Sequence, residues 1–487
     1  MYIAEMHLRH TGNQASGMAK PCLLIICKMI SAGACFAEKY TFQQMIQLRR
    51  IIKYALALCG ADNVTEGYLM MKNSHKQHIL AVSQYFYPES FRINDITAEW
   101  VKRGYQVTVL TGIPNYPMGK FFEGYGYRQR RVEWWKGMKI IRIPLIPRGS
   151  GFAGMAANYL SFAVSGYIWK TAAKIDADIV FTYEVSPMTQ ALVGCWYAKK
   201  RHIPHYLYMT DLWPENIESV TGIHNRLFIG TVQKMADYIY KNSEKILTCS
   251  QSFVKAVQKR GIAKSRVEFW PQYAEDFYKP VEKDLSLEIP QDGVLNLVFA
   301  GSIGYAQGLW ILVKAAERLK KENLRVRFNI LGDGRYLPKL QEHIKAAQVH
   351  EFFNFIPRRP PEQVPAYMAL ADAVLIVLSK SEVFSITIPA KTQSCMACGK
   401  PILVSADGEV HKIIQDAGAG FCSKAEDTQG FVKNIKKLMA LPEEKREKLA
   451  ANARIYAEKH FNKEQLLNRL DEIFGENKRS SDNGAHI

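Results

Sequence analysis

Asn296–Leu309 reads NLVFAGSIGYAQGL, and the fold turns on how it is understood. Leu297 to Ala300 form an apolar run that enters a glycine-spaced loop, Gly301, Gly304 and Gly308. The chain continues as ILVKAAERLKK, with apolar residues at helical period. A buried strand, a glycine turn and a helix start form a phosphate cradle, because unpaired backbone N–H groups and the helix dipole both favour an anion. The spacing G-x-x-G-x-x-x-G is neither the dinucleotide fingerprint nor a P-loop, which needs Gly-Lys-Ser/Thr. Glycine also serves such turns for backbone reasons alone. The surrounding chain has to decide.

Outward from this stretch the same rhythm repeats. Before it come HILAVSQYF, YQVTVLTG, MKIIRIPLIP, ADIVFTYEV, HYLYMTD, KILTCS and RVEFWPQ, separated by amphipathic segments or loops. After it come VRFNILGDG, FFNFIP, DAVLIVL and PILVS. Continuous apolar strands alternating with helices imply parallel sheets covered on both faces. Tyr278–Gly293 breaks the rhythm with prolines and charges and marks a domain boundary. The expected class is α/β, with two doubly wound, Rossmann-like domains facing a cleft. Their spans are 77–285 and 286–455, with a helix at 456–475 crossing back and a disordered polar tail at 476–487. Residues 1–76 read as an extension outside the working fold. Pro21–Ala37 there has the look of a poor signal peptide, and Met70 or Met71 stands just before the first clean strand, so that a start at Met71 is expected to keep the fold.

The 64 Lys and Arg outnumber 46 Asp and Glu, a net charge of +18 that suits nucleic acid, an anionic membrane or a phosphorylated substrate. The cations form no long run, and no zinc-finger or RNP-like motif accompanies them, which excludes the usual nucleic-acid readers. Cys395-x-x-Cys398 lacks a second pair and reads as core thiols. Asp176-Ala177-Asp178 has the D-x-D form of metal-dependent sugar transferases, but it precedes a strand and so belongs to the floor opposite the cleft. No other cluster has metal-ligand spacing, so neither metal nor cofactor is expected.

Three loops follow the carboxyl ends of strands in the first half and should rim one crevice: Tyr85-Phe86-Tyr87-Pro88-Glu89, the segment Thr111–Pro117 with Asn115 and Tyr116, and Asp211-Leu212-Trp213-Pro214-Glu215. Asp211 and Glu215 flanking Trp213 can orient a sugar, since acids bind hydroxyls and indoles stack on pyranose faces. They equally fit a helix cap. In the second half, Gly332-Asp333-Gly334 follows a strand. Lys391 opens a helix where a diphosphate would gain a cation, and Glu409 opens another where it can hold ribose hydroxyls or cap. Arg148 leads into GMAANYLSFAVSGYIWK, which has no charge before Lys170. Its apolar bulk exceeds one buried face, so part of it is expected to reach a bilayer with Arg148 beside phosphates, unless the helix is wholly buried.

Taken in order, QYFYPE, TGIPNYPMGK, DLWPE, GSIGYAQGL, LGDG and IPAKTQSCMACGKPIL resemble the GT-B glycosyltransferases of family 4. Within these they are similar to the bacterial O-antigen, capsule and colanic-acid type, fucosaminyltransferases included. The resemblance spans about residues 77–472. It implies retaining transfer of a sugar from a nucleoside diphosphate, usually UDP, without metal. The first domain would take a lipid-linked glycan acceptor and the second the donor, in the cytoplasm at the inner face of the plasma membrane. On that basis Asp211 and Glu215 are the catalytic candidates. Gly301, Ser302, Gly304, Gln307, Gly332, Gly334, Lys391 and Glu409 are the donor candidates, and Glu89, Arg92, Asn115, Tyr116, Trp213 and Arg148 the acceptor candidates. The chain departs from the broad family where its diphosphate clamp falls on Ser302 and Gln307 and its two signature glutamates on Ile386 and Ser394. Arg92 and Lys391 would restore the lost charge. A sugar-nucleotide epimerase and a non-catalytic partner subunit are the alternatives.

Overall fold

The computed structural model describes residues 77–149, 151–217 and 225–484. The expectations for residues 1–76, including Pro21–Ala37 and a start at Met71, lie outside the described residues.

The first lobe runs β1 (His78–Val82), α1 (Ile93–Lys102), β2 (Gln106–Gly112), β3 (Val132–Trp135), β4 (Met138–Ile143), α2 (Phe152–Ala172), β5 (Ile179–Glu184), α3 (Thr189–Arg201), β6 (His205–Met209), α4 (Arg226–Lys241), β7 (Lys245–Thr248), α5 (Gln251–Lys259) and β8 (Val267–Phe269). Its strands lie in the order β3-β4-β2-β1-β5-β6-β7-β8. All neighbours are parallel except β3 and β4. Every residue of β5 and β6 is buried, because helices cover both faces. Phe86, Trp100, Phe181 and Tyr208 fill one side and Leu80, Val82, Phe162 and Val193 the other. Helix α1 shows the local logic. Ile93, Ile96 and Trp100 share one buried stripe, and Gly104, at φ +88°, turns the chain out of the helix.

The second lobe runs β9 (Leu295–Ala300), α6 (Trp310–Lys321), β10 (Val326–Leu331), α7 (Leu337–Ala346), β11 (Phe353–Ile356), α8 (Val364–Ala369), β12 (Ala373–Val377), α9 (Glu382–Ser385), α10 (Lys391–Ala397), β13 (Ile402–Ser405), α11 (Glu409–Ala417), β14 (Gly420–Ser423) and α12 (Thr428–Met439). Its sheet, β11-β10-β9-β12-β13-β14, is parallel throughout. Cys395 and Cys398 are free and buried in it. Strand order reverses between β1 and β5 and between β9 and β12, the points where doubly wound sheets open a crevice at their carboxyl ends.

Two helices close the chain, α13 (Glu443–His460) and α14 (Lys463–Gly484). Ala453, Ala457 and Phe461 pack into the second lobe, whereas Leu467, Leu470, Ile473 and Phe474 enter the core of the first. Trp270 Nε1 donates to the Leu466 carbonyl at 2.8 Å, and Lys463 bridges Asp95, Glu99 and Asp276. The crossing therefore falls at 461–462 instead of beginning at 456. Helix α14 also continues through the polar stretch from 476 that reads as a disordered tail. Arg469 reaches Glu472 at 2.9 Å and Glu476 at 3.2 Å along one helix face, which favours continuing the helix.

Candidate functional site

The loops after β9, β10 and β11 extend the ladder of their strands. Gly301 N donates to Leu331 O at 3.0 Å, Ile303 N to Asp333 O at 2.8 Å and Gly332 N to Ile356 O at 3.1 Å. A Cβ on Gly332, at φ +150°, would stand 2.0 Å from Gly301 O, and one on Gly334 would stand 2.2 Å from Ile303 O. Those two glycines are required because the loops touch backbone to backbone. The chain does not pass directly from Gly301 into a helix. A 3-10 turn at Tyr305–Gln307 and Gly308 at φ +58° intervene, and α6 starts only at Trp310.

Over this floor lies a cleft of about 740 Å³, within the usual range for a small-molecule site. Gly301, Ser302, Gly332, Lys391 and Ser394 line it from the second lobe, and Arg92 lines it from the first. Gly304, Gln307 and Gly334 stand back from it. Lys391 is not the solvated lysine its helix-start position suggests. Its ammonium lies 3.9 Å from the centre of the Phe299 ring and is held by the Gln307 side-chain oxygen. Burial pulls its pKa down to about 7. Gln307, where the broad family places a clamp cation, thus carries the ammonium of Lys391 instead.

Arg92 pairs with Glu275 at 3.1 Å and lies over the Tyr273 ring at 5.7 Å. Its side chain is only 8% exposed, and its NH1 group is buried without a partner. Beside it, Trp135 stacks on Tyr87 with ring centres 4.6 Å apart, and Lys136 lies over Trp135 at 4.7 Å. Trp135, Lys136, Glu275 and Arg358 line the cleft and were missed as site residues. A signal for the first two was present. Lys136-Gly137, both at positive φ, is a two-residue hairpin turn between VEWW and MKIIRI.

Other candidates serve the scaffold. Glu89 is buried, and its carboxylate accepts from the amides of Asn115 at 2.8 Å, Tyr116 at 2.6 Å and Phe86 at 3.2 Å. Burial nevertheless pushes its pKa up to about 7. Asn115 is fully buried and accepts the Arg148 amide at 3.0 Å. Neither lines the cleft; together they fix the loops carrying Tyr116 and Arg148. The Arg148 guanidinium sits 5.3 Å from the Tyr116 ring and 5.9 Å from Tyr159, its Nε buried and unpaired.

Asp211 and Glu215 do not converge across Trp213. The Asp211 carboxylate accepts from both the amide and the hydroxyl of Ser186 at 2.7 Å, Glu215 faces Arg260 at 3.5 Å, and Trp213 packs on the core. Behind Asp211 lies Glu184, missed from the sequence. It is fully buried, and burial, with the charge of Asp211, holds its carboxyl well above the usual range. Glu409 turns to the first lobe and bonds Ser252. Asp178 accepts the His78 amide at 2.6 Å at the amino end of the first sheet, away from the cleft. Among the described residues no group of three His, Cys, Asp or Glu side chains is placed to hold a metal. Among them also no helix is long and apolar enough to cross a membrane.

Two doubly wound lobes, a nucleotide-sized cleft between their strand ends and a helix crossing back define a GT-B glycosyltransferase. The chain belongs to family 4: residues 90–272 match the glycosyl transferase 4-like domain, and residues 288–456 match glycosyl transferases group 1. WcaI of Escherichia coli K12, named as a colanic acid biosynthesis glycosyl transferase, is 26% identical over 80% of this chain and 98% of its own. The alpha-monoglucosyldiacylglycerol synthase of Streptococcus pneumoniae is 25% identical over 71% of this chain and 77% of its own. Among solved structures, sucrose-phosphate synthase from Thermosynechococcus elongatus superposes with a TM-score of 0.66 at 15% identity, covering 83% of this chain and all of that one. HepE from Anabaena, solved with UDP and glucose, gives 0.62 at 17%, covering 82% of this chain and all of that one.

Proposed function

We propose that this transferase moves a sugar, an N-acetylated or deoxy hexose, from a UDP donor to a lipid-linked oligosaccharide during bacterial surface polysaccharide assembly. The observation that carries the reading is the pairing of two cations across one cleft. Lys391 comes from the second lobe beneath Gly301 and Gly332, and Arg92 comes from the first with an unpaired N–H. A diphosphate between them gains charge-assisted bonds from both sides. The relatives support the donor and acceptor classes, since HepE was solved with UDP and a glycolipid synthase and a colanic-acid transferase are similar in sequence.

In this reading the anomeric configuration is retained. The acceptor hydroxyl attacks on the face from which the diphosphate leaves, and its proton passes to the departing phosphate oxygen. The protein's part is to orient both substrates and to stabilise the charge growing on the phosphate, through Lys391, Arg92 and the loop amides. No metal takes part. Asp211 acts by fixing the Ser186 loop at the acceptor side. The enzyme works in the cytoplasm, against the anionic inner face of the plasma membrane. The test incubates purified protein with radiolabelled UDP-sugars and extracted lipid-linked acceptors. A labelled glycolipid with the donor's anomeric configuration, by NMR, is the expected product. An epimerised nucleotide, or no turnover, would replace the reading with that of an epimerase or a non-catalytic subunit.

A further inference from the structure

We propose that the outward face of α2, with the first turn of α4, is the surface on which this protein lies against an anionic bilayer. Resting on the lipid-linked acceptor reading, it names the surface that brings the acceptor in. Helix α2 is not wholly buried. Phe162, Ala163 and Gly166 pack inward, with the Gly166 Cα close against Val193 of α3. On the opposite side Leu160, Val164 and Ile168 are each more than half exposed, at the spacing of one helix face. The face extends beyond the helix. The Phe152 ring meets Phe228 edge-on at 6.0 Å, and Leu227 beside it is 85% exposed. From Phe152 to Ile168 the apolar line is about 24 Å long. Isolated exposed apolar side chains need no explanation, but a continuous line of them does.

The charge around this face identifies its occupant. Neither α2 nor α3 contains an aspartate or glutamate. Lys170, Lys174, Lys199, Lys200 and Arg201 gather at the C-terminal end of α2, outnumbering Asp176 and Asp178, which follow it. The Lys200 ammonium is fixed there, donating to Lys170 O at 2.8 Å and Thr171 O at 2.7 Å, and Lys170 lies 4.0 Å over the Tyr167 ring. An apolar stripe with aromatic and lysine residues at its edge, and no acid within either helix, matches a headgroup boundary of negative charge. One face of α2 stays packed on α3, so the helix rests in the interface and does not span it. Tyr159, next to Leu160, borders Arg148, so an acceptor sliding in from the bilayer arrives beside Asp211's loop without leaving the lipid surface.

The test uses the full chain with sedimented vesicles of phosphatidylglycerol in phosphatidylcholine, and with phosphatidylcholine alone. Binding is expected only with the anionic vesicles and is expected to weaken as salt rises. The double variant Leu160→Glu/Ile168→Glu is expected to lower it by at least about tenfold. UDP affinity by calorimetry should be unchanged, which separates failure of this surface from failure of the transferase reading. Equal binding by the variant overturns the proposal, and so does absence of binding by the parent. A parent that is dimeric by light scattering, with a monomeric variant and no vesicle binding, assigns the face to a second copy. Vesicle binding that appears only after residues 1–76 are removed assigns it to that segment.

Discussion

Glu409 and Ser252 join the two lobes: one carboxylate oxygen of Glu409 accepts from the Ser252 amide at 2.7 Å and from its hydroxyl at 2.6 Å. Ser252 lies in the first turn of α5, so the bond places a negative charge on a helix N-terminus. A second bond accompanies it, from the Ser250 hydroxyl to the Ile386 carbonyl at 2.6 Å. Ile386 stands where the broad family carries a signature glutamate, and here it packs against the first lobe. These two contacts tie the second lobe to the first.

Ser252→Ala removes the hydroxyl bond and keeps the amide. Loosening this contact between the lobes is expected to lower turnover by about fivefold, the value of one such bond. UDP affinity by calorimetry should stay as in the parent. A parallel loss of UDP affinity would mean that the contact shapes the nucleotide site itself.

Lys391 makes nucleotide binding a proton-linked event. In the free protein its pKa is about 7, so it is largely neutral at pH 8. A diphosphate nearby restores the charge, and a proton must be taken up. The sign follows. The folded value is below the unfolded one, so this group's contribution to stability is present above the unfolded pKa and is lost as pH falls through 7 in the free protein. Nucleotide-sugar affinity is expected to fall as pH rises above 7. Calorimetry at pH 8 in buffers of different ionisation enthalpy should read about one proton taken up per site. Lys391→Met should abolish the uptake and weaken binding while keeping the fold. Uptake unchanged in that variant would remove Lys391 from the site.

Both Ser186 bonds fall on one oxygen of the Asp211 carboxylate, and Asp211→Asn removes the charge that strengthens them and can turn an NH₂ toward the Ser186 donors. The Ser186 loop should lose its position, with turnover falling at least about tenfold. UDP affinity should not change, because on the proposed reading the diphosphate is held by Lys391 and Arg92 and not by the Ser186 loop. Loss of UDP binding with acceptor binding intact would reverse the roles of the lobes.

Chelation by EDTA is expected to leave turnover unchanged, since in the proposed reading Lys391, Arg92 and backbone amides meet the phosphate charge. A requirement for added Mn²⁺ or Mg²⁺ would overturn this and redirect attention to Asp176 and Asp178.

Periodicity by itself determined the two sheets, because buried parallel strands and amphipathic helices are written in local patterns of apolar residues. The helix crossing back was legible from its place after the second sheet, and Leu467, Leu470 and Phe474 carry it into the core of the first lobe. Two edge strands escaped it. VEWW exposes alternate residues, and GFCS is too short and too weakly apolar to stand out before its neighbour pairs with it. At the site, the sequence placed acids, amides and cations at strand ends but not their direction. Glu89 turns inward and Arg92, three residues on, lines the cleft. Glu409 meets a partner 157 residues away, and Gln307 meets Lys391 across 84. Loop side chains follow no period, and the donors that capture them come from distant strands. Only the assembled lobes therefore decide which carboxylate is a brace and which cation faces the substrate.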